Sequence, residues 1–89
     1  MDISYDAAKN SKNIADRGLS FDMVAQFDFS TAVIYADTRK DYGETRYIGI
    51  GHIGQRLHVV AFTETETGVR VISLRKANER EVKAYDSQQ

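Results

Sequence analysis

Eighty-nine residues with a formal net charge of −1 make one small domain with a single modest core, and that balance excludes a chain that coats nucleic acid through bulk positive charge. The absence of cysteine excludes disulfides and thiolate zinc sites. No run approaches the ~18 apolar residues that cross a bilayer. The N-terminus, Met1-Asp2-Ile3-Ser4-Tyr5-Asp6, has neither a basic n-region nor an apolar h-region, so a cytoplasmic location without a membrane partner is expected. Charge is unevenly spread. Residues 1–45 hold five Lys/Arg against eight Asp/Glu, a net of −3, and residues 46–89 hold seven against five, a net of +2. A basic patch on the C-terminal half is compatible with this split.

In chain order, Ile3-Ser4-Tyr5 alternates briefly and reads as a first strand. Asp6 is a good N-cap. Ala7 to Ala15 holds helix formers without a breaker, and Gly18 sits where a C′ glycine belongs. Lys9 and Asn13, four apart, share one side of this helix. Ser20 opens a second helix, with Leu19 and Val24 at hydrophobic-staple spacing, ending near Phe27 to Phe29. Thr31 to Ala36 is rich in strand formers, and Asp37-Thr38-Arg39-Lys40-Asp41 reads as an exposed loop. Tyr47–Ile50, Leu57–Phe62 and Val69–Leu74 are three further strands. Their short breaks imply antiparallel hairpins, because a parallel crossover needs a dozen residues or more. Asn78 with Glu81 makes a capping box for a last helix, Glu79 to Tyr85. The expected fold is therefore a single α+β domain over residues 1–89, in the order β-α-α-β-β-β-β-α, with an antiparallel sheet and helices packed on one face.

Metal binding has no ligand set: His52 and His58 are the only histidines, and no carboxylate lies at a standard ligand spacing from them. Gly49-Ile50-Gly51-His52-Ile53-Gly54 spells GxGxxG but lies between antiparallel strands, so it is not a dinucleotide fingerprint. Gly49 and Gly51 share a strand face, where small residues admit a close neighbour. No cofactor is expected. Arginines punctuate the strands. Alternation puts Arg46 on a face with Ile48 and Ile50, and Arg70 with Ile72 and Leu74. Val69, Val71, Ser73 and Arg75 point the other way. Two readings stand: structural ion pairs at strand ends, with Glu44 as the partner of Arg46, or a cationic groove whose guanidinium forks seat phosphate.

Over nearly its whole length the chain resembles the BrnT-type toxins of bacterial type II toxin–antitoxin modules. Asp6, Lys9, Asn13 and Gly18 follow the family's D-x-x-K-x-x-x-N-x-x-x-x-G spacing. Leu19-Ser20-Phe21 resembles its helix-opening segment, Phe27 its recurrent phenylalanine and Gly43-Glu44-x-Arg46 its G-E-x-R. Gly54-x-Arg56-Leu57-x-Val59-Val60 resembles G-x-x-L-x-V-V. Arg70 to Ala77, with Glu79-Arg80-Glu81 and Tyr85, resembles the C-terminal signature and helix. The resemblance implies a RelE-like ribonuclease fold and a cytoplasmic toxin that cleaves RNA and blocks translation. It also implies a BrnA-like ribbon-helix-helix antitoxin as partner, with DNA engaged only indirectly through the antitoxin. One departure stands out: Asp16-Arg17-Gly18 occupies the place of the family's Lys-His-Gly.

The chemistry so implied is metal-independent attack of the RNA 2′-hydroxyl on the neighbouring phosphate. It needs a base, cations for the phosphorane and an acid for the leaving oxygen. Arg46 and Arg75 are the first candidates for phosphate stabilisation and Glu44 for the base. Arg70, Lys9, Arg17, His58 and Tyr85 are candidates for substrate binding or proton transfer, although Tyr85 equally suits core packing of the last helix. The alternative expectation, motivated by Asp16-Arg17, is a catalytically weak or inactive toxin-like domain that acts by binding its antitoxin.

Overall fold

The computed structural model describes residues 1–88. Its strands are β1 (Asp2–Tyr5), β2 (Val33–Ala36), β3 (Tyr47–Ile53), β4 (Arg56–Glu64) and β5 (Gly68–Lys76). Its α-helices are α1 (Ala7–Arg17) and α2 (Glu79–Ser87), and a 3-10 helix spans Phe21–Gln26. The local signals in the sequence act as their chemistry demands. Asp6 accepts the amides of Ala8 and Lys9 at the start of α1, and Gly18 ends it at φ 71°, a conformation that costs glycine no Cβ clash. Ser20 caps the following segment, which tightens into a 3-10 helix instead of the expected α-helix. Asn78 and Glu81 close the capping box of α2. Among the described residues no helix is long and apolar enough to cross a membrane.

The strands form one sheet in the order β1-β5-β4-β3-β2. The hairpins β3–β4 and β4–β5, and the pair β2–β3, are antiparallel as their short connections require. The sheet is nonetheless mixed, not antiparallel, because β1 lies parallel to β5 with Ile3 opposite Val69. The two strands stand at opposite ends of the chain, so no hairpin fixes their direction. At Gly68 an added Cβ would run into the Asp2 carbonyl, which makes a glycine necessary where β1 closes on β5.

Nor do the helices share one face. The segment Leu19 to Phe27, including the 3-10 helix, buries Leu19, Phe21, Val24 and Phe27 against Val60, Phe62, Val69, Val71 and Leu74. On the opposite face α2 packs Tyr85 and Val82 against Leu57 and Val59. β4 alternates between the two layers, so it is buried on both faces along most of its length. The helix α1 contributes only Asn13 to the interior and lies against β5 beyond the end of β1. There the Asn13 amide donates to the carbonyls of Leu19 (2.9 Å) and Leu74 (3.0 Å). The second bond satisfies an edge carbonyl of β5 that β1 is too short to reach.

One irregularity decides which side chains face where. Ala61 pairs with Ser73 but Phe62 with Val71, leaving Ile72 as a bulge. The extra residue reverses the alternation of β5. Val69, Val71 and Leu74 therefore all enter the first core layer. Arg70, Ser73 and Arg75, opposite Thr63, Ala61 and Val59, share the other face. Uninterrupted alternation separates Arg70 from Arg75 and is wrong for this strand.

Where β5 ends, Arg75 grips Glu81 of α2 through two bonds, Nη1 to Oε1 at 2.7 Å and Nη2 to Oε2 at 2.8 Å, while Glu81 also accepts the Asn78 amide at 2.9 Å. The Arg75 hydrogen bonds hold the Glu81 carboxyl down to about 2, against an ordinary 4.5.

Two outcomes follow. A Cβ at Gly51 would lie 2.8 Å from the Phe27 ring and 2.9 Å from Ala32 Cβ, so Gly51→Val should destabilise by about 1–3 kcal/mol through overpacking, read as a lower urea midpoint; an unchanged midpoint would show that Phe27 yields freely. Because the folded pKa of Glu81 is depressed, its contribution is complete above the unfolded value and is lost as pH falls toward about 2. Thermal unfolding followed from about pH 6 down to about pH 2 should therefore show a modestly shallower loss of Tm in Glu81→Gln than in the unmodified chain. Equal slopes would assign the acid sensitivity to other carboxylates.

Candidate functional site

A groove of about 340 Å³ opens on the sheet face that carries α2. Its floor is Ile48, Val59 and Ala61, and Tyr35, Asp37, Arg39, Ser73 and Arg75 supply its polar groups. The register explains the gathering. Tyr35 lies opposite Ile48, Ile48 opposite Ala61, and Ala61 opposite Ser73, one row across four strands. Arg75 is one step further along β5, opposite Val59.

Arg75 is the most constrained cation of the groove. Its side chain is 40% exposed, so it faces solvent while Glu81 fixes its plane. The Glu81 carboxylate and the nearby Tyr35 raise its pKa further above the ordinary guanidinium value. End-on pairing occupies two of the five N–H groups, with a third contact to the Lys76 carbonyl at 3.4 Å, and the remainder are free to donate. Arg39 is held by Asp37, Nε to Oδ1 at 2.9 Å and Nη2 to Oδ2 at 2.8 Å. Asp37 also accepts the Tyr42 hydroxyl at 3.2 Å, and these donors, the Arg39 side chain foremost, lower its pKa. Both groove arginines thus carry a carboxylate, which reduces their net positive field and fixes their orientation.

The other sequence candidates are dispersed. Arg46 does not line the groove. It stands beside it, its carbonyl accepting the Asp37 amide at 2.7 Å, while its guanidinium stacks 3.9 Å from the Tyr42 ring centre. Its Nε is buried without a hydrogen-bond partner. The expected Glu44–Arg46 ion pair does not form: Glu44 is exposed, and the cation–π stack takes its place. Arg70 is exposed; the Asp6 carboxyl, lowered chiefly by the Lys9 amide it accepts, feels Arg70 as a minor further cause, and Arg70 shares the groove's sheet face without reaching the groove. Lys9 and Arg17 line a second, shallower cleft of about 180 Å³ between α1 and β5, together with Lys12 and Ser73. Ser73 borders both clefts, so the two meet at the bulge. Arg17 also donates to Asn13 Oδ1 at 3.1 Å.

His58 and Tyr85 are buried and do not line the groove. His58 is 3% exposed and faces the opposite side of the sheet, sharing the alternation of Val60. Its Nδ1 meets the Arg56 carbonyl at 2.9 Å, which requires the proton on Nδ1, and burial lowers its pKa. Tyr85 is buried, its hydroxyl donates to the Thr31 carbonyl at 2.9 Å, and its ring meets His52 edge-on at 5.4 Å. Among the described residues no three His, Cys, Asp or Glu side chains gather into a group that could hold a metal ion.

Sequence reasoning missed Tyr35, Arg39 and Ser73. Tyr35 was legible as a strand residue, and it lies on the face that Val33 and Ile48 share. Arg39 follows Asp37 at i+2, the spacing that lets a loop arginine fold back on a carboxylate. Ser73 was placed with Arg75, but its position between two clefts depends on the bulge.

Comparison with known proteins agrees with this architecture. Residues 5–81 match the family described as the ribonuclease toxin, BrnT, of type II toxin–antitoxin systems. The 1.1 Å crystal structure of the Brucella abortus ribonuclease toxin, BrnT, superposes with a TM-score of 0.68 at 30% sequence identity, covering 89% of this chain and 99% of that one. No curated protein matches the chain. With a family match across most of its length and a shared fold at that identity, the chain belongs to the BrnT family of type II ribonuclease toxins.

Proposed function

We propose that this chain is a cytoplasmic endoribonuclease toxin that blocks translation by cutting RNA in the groove between Tyr35 and Arg75, and that a BrnA-like ribbon-helix-helix antitoxin keeps it silent, DNA being engaged only through that antitoxin. The observation that carries the reading is Arg75. It is a permanently charged guanidinium, fixed in orientation by a bidentate carboxylate, with spare donors, in a groove within the usual size range of ligand sites. A phosphodiester needs such a donor most when attack by the ribose 2′-oxygen turns it into a dianionic phosphorane.

The step is internal transfer. The 2′-oxygen bonds to phosphorus, the bond to the 5′-oxygen breaks, and the products are a 2′,3′-cyclic phosphate and a 5′-hydroxyl. The proton lost from the 2′-hydroxyl and the one gained by the 5′-oxygen balance. The step as proposed draws only on side chains of this chain. Arg75 stabilises the phosphorane and Arg39 approaches it from the loop side. Arg46, with its unpartnered Nε, is the next cation beyond Asp37. Tyr35, exposed and beside Arg75, is assigned as the proton carrier. Glu44 is the alternative base from the adjacent loop. Flanking phosphates run past Ser73 to Lys9, Lys12 and Arg17 along α1, a backbone-tracking arrangement that tolerates any sequence.

One observation favours the second reading, a weak or inactive domain that only binds its antitoxin: Arg75 and Arg39 are each already partnered by a carboxylate. Purified protein incubated with RNA in excess EDTA separates the two. Cleavage supports the nuclease, and intact RNA with tight antitoxin binding supports the binder. If the nuclease reading holds, Arg75→Lys, which keeps charge but loses the fork, should slow cleavage by on the order of 100-fold with unchanged circular dichroism. Tyr35→Phe, which removes the hydroxyl and keeps the ring, should slow it less. Full activity in folded Arg75→Lys would remove Arg75 from the chemistry.

A further inference from the structure

The strand β2 ends the sheet, with a neighbour on one side only. Natural edges are usually guarded by a lysine, a proline or a bulge. Val33-Ile34-Tyr35-Ala36 contains no charge and no proline, and its pairing with β3 is regular. Its two central side chains are both large, apolar and exposed, Ile34 at 43% and Tyr35 at 51%, and they point to opposite faces. Tyr35 borders the groove with Arg75. Ile34 borders a different cavity, about 390 Å³ and mostly apolar, walled by Phe29, Tyr47, Phe62 and Val69. A short, uncharged edge therefore stands between a polar cavity that holds two carboxylate-paired arginines and an apolar one.

We infer that β2 is the docking edge for the antitoxin, which adds an extended segment as a sixth strand whose alternate side chains are acidic toward Arg75 and Arg39 and apolar toward the cavity beside Ile34. Strand addition takes its affinity from backbone hydrogen bonds and its selectivity from alternate side-chain pockets, and the two cavities lie at the alternation such a segment supplies. Charge selects this occupant over a second copy of the chain. A second β2 brings Val, Ile, Tyr and Ala, with no carboxylate for the arginines. The inserted strand lies against Tyr35, so docking also closes the groove. This inference rests on the nuclease reading for its consequence, inhibition, but not for the binding itself.

The test is Ile34→Lys in the full chain, a substitution at an exposed site on the face opposite the groove. The antitoxin expressed with the toxin is titrated against both proteins, and backbone amide exchange is measured with and without it. We expect antitoxin affinity to fall at least tenfold in Ile34→Lys, RNA cleavage by the free protein to be unchanged, and bound antitoxin to protect amides of residues 33–36 in the unmodified chain. Unchanged affinity, protection confined to other elements, or dimers of the free chain that Ile34→Lys dissociates would each overturn the inference. Loss of RNA cleavage in the unmodified protein would refute the nuclease reading while leaving the affinity and exchange results to decide the docking edge.

Discussion

The fork between Arg75 and Glu81 is the constraint on which the rest turns. Glu81 is shared: it caps the first turn of α2 through the Asn78 amide and receives both outer nitrogens of Arg75. One carboxylate thus joins the last strand to the last helix and orients the cation of the groove. Arg75 is 40% exposed, so the pair is worth on the order of 1 kcal/mol. That is small beside the burial of Leu74 and Val60, both at 0% exposure, each worth about 2 kcal/mol or more. Its value lies in geometry: a free arginine samples many rotamers, whereas this one presents its remaining donors in a single direction before any phosphate arrives.

What was legible in the sequence was local. The Asp6, Ser20 and Asn78 caps, the Gly18 terminus and both hairpins follow from residue chemistry over four or five positions, and each is present. The close approach at Gly51 was readable as well, though not that Phe27 and Ala32 would fill it. Three features were not legible because each is decided at long range. β1 pairs with a strand more than sixty residues away, and nothing near Ile3 encodes a direction. The side of the sheet taken by α2 depends on which residues of β4 remain uncovered by Phe21 and Phe27. The bulge at Ile72 has no glycine or proline to announce it, yet it reverses the alternation of β5 and puts Arg70, Ser73 and Arg75 on one face. The cavity was accordingly half legible: Arg75 lines it, and the residues beside Arg75 come from β2 and the following loop, with Arg46 and Glu44 outside its lining.

The Asp16-Arg17 departure has a physical account. Asp16 pairs with Lys12 one turn back, at 2.7 Å and well exposed, a contact of little energetic weight. Arg17 donates to Asn13 Oδ1 at 3.1 Å, completing the hydrogen bonding of an amide whose nitrogen already bridges Leu19 and Leu74. Arginine at this position therefore supports the buried Asn13 and keeps a positive charge on the cleft beside Ser73. An imidazole here would titrate near neutrality; a guanidinium does not. On the proposed reading, a group that could carry a proton is exchanged for one that holds a phosphate, and proton transfer falls to the groove across the bulge.

That division has a consequence for control. Arg75 and Arg39 are half neutralised by Glu81 and Asp37, so an inhibitor relying on charge alone would compete with RNA on RNA's own terms, and its hold would weaken as salt rises. An inhibitor anchored on the backbone of β2 draws on donors and acceptors that a nucleic acid does not match in strand geometry, and on apolar surface beside Ile34 that a phosphate cannot use. The two ligands then overlap at Tyr35, Arg39 and Arg75, whereas the β2 backbone and the cavity beside Ile34 engage the protein strand alone. On the proposed reading, most of the inhibitor's hold then comes from the strand edge and the apolar cavity, and the groove need not be made more basic to be closed.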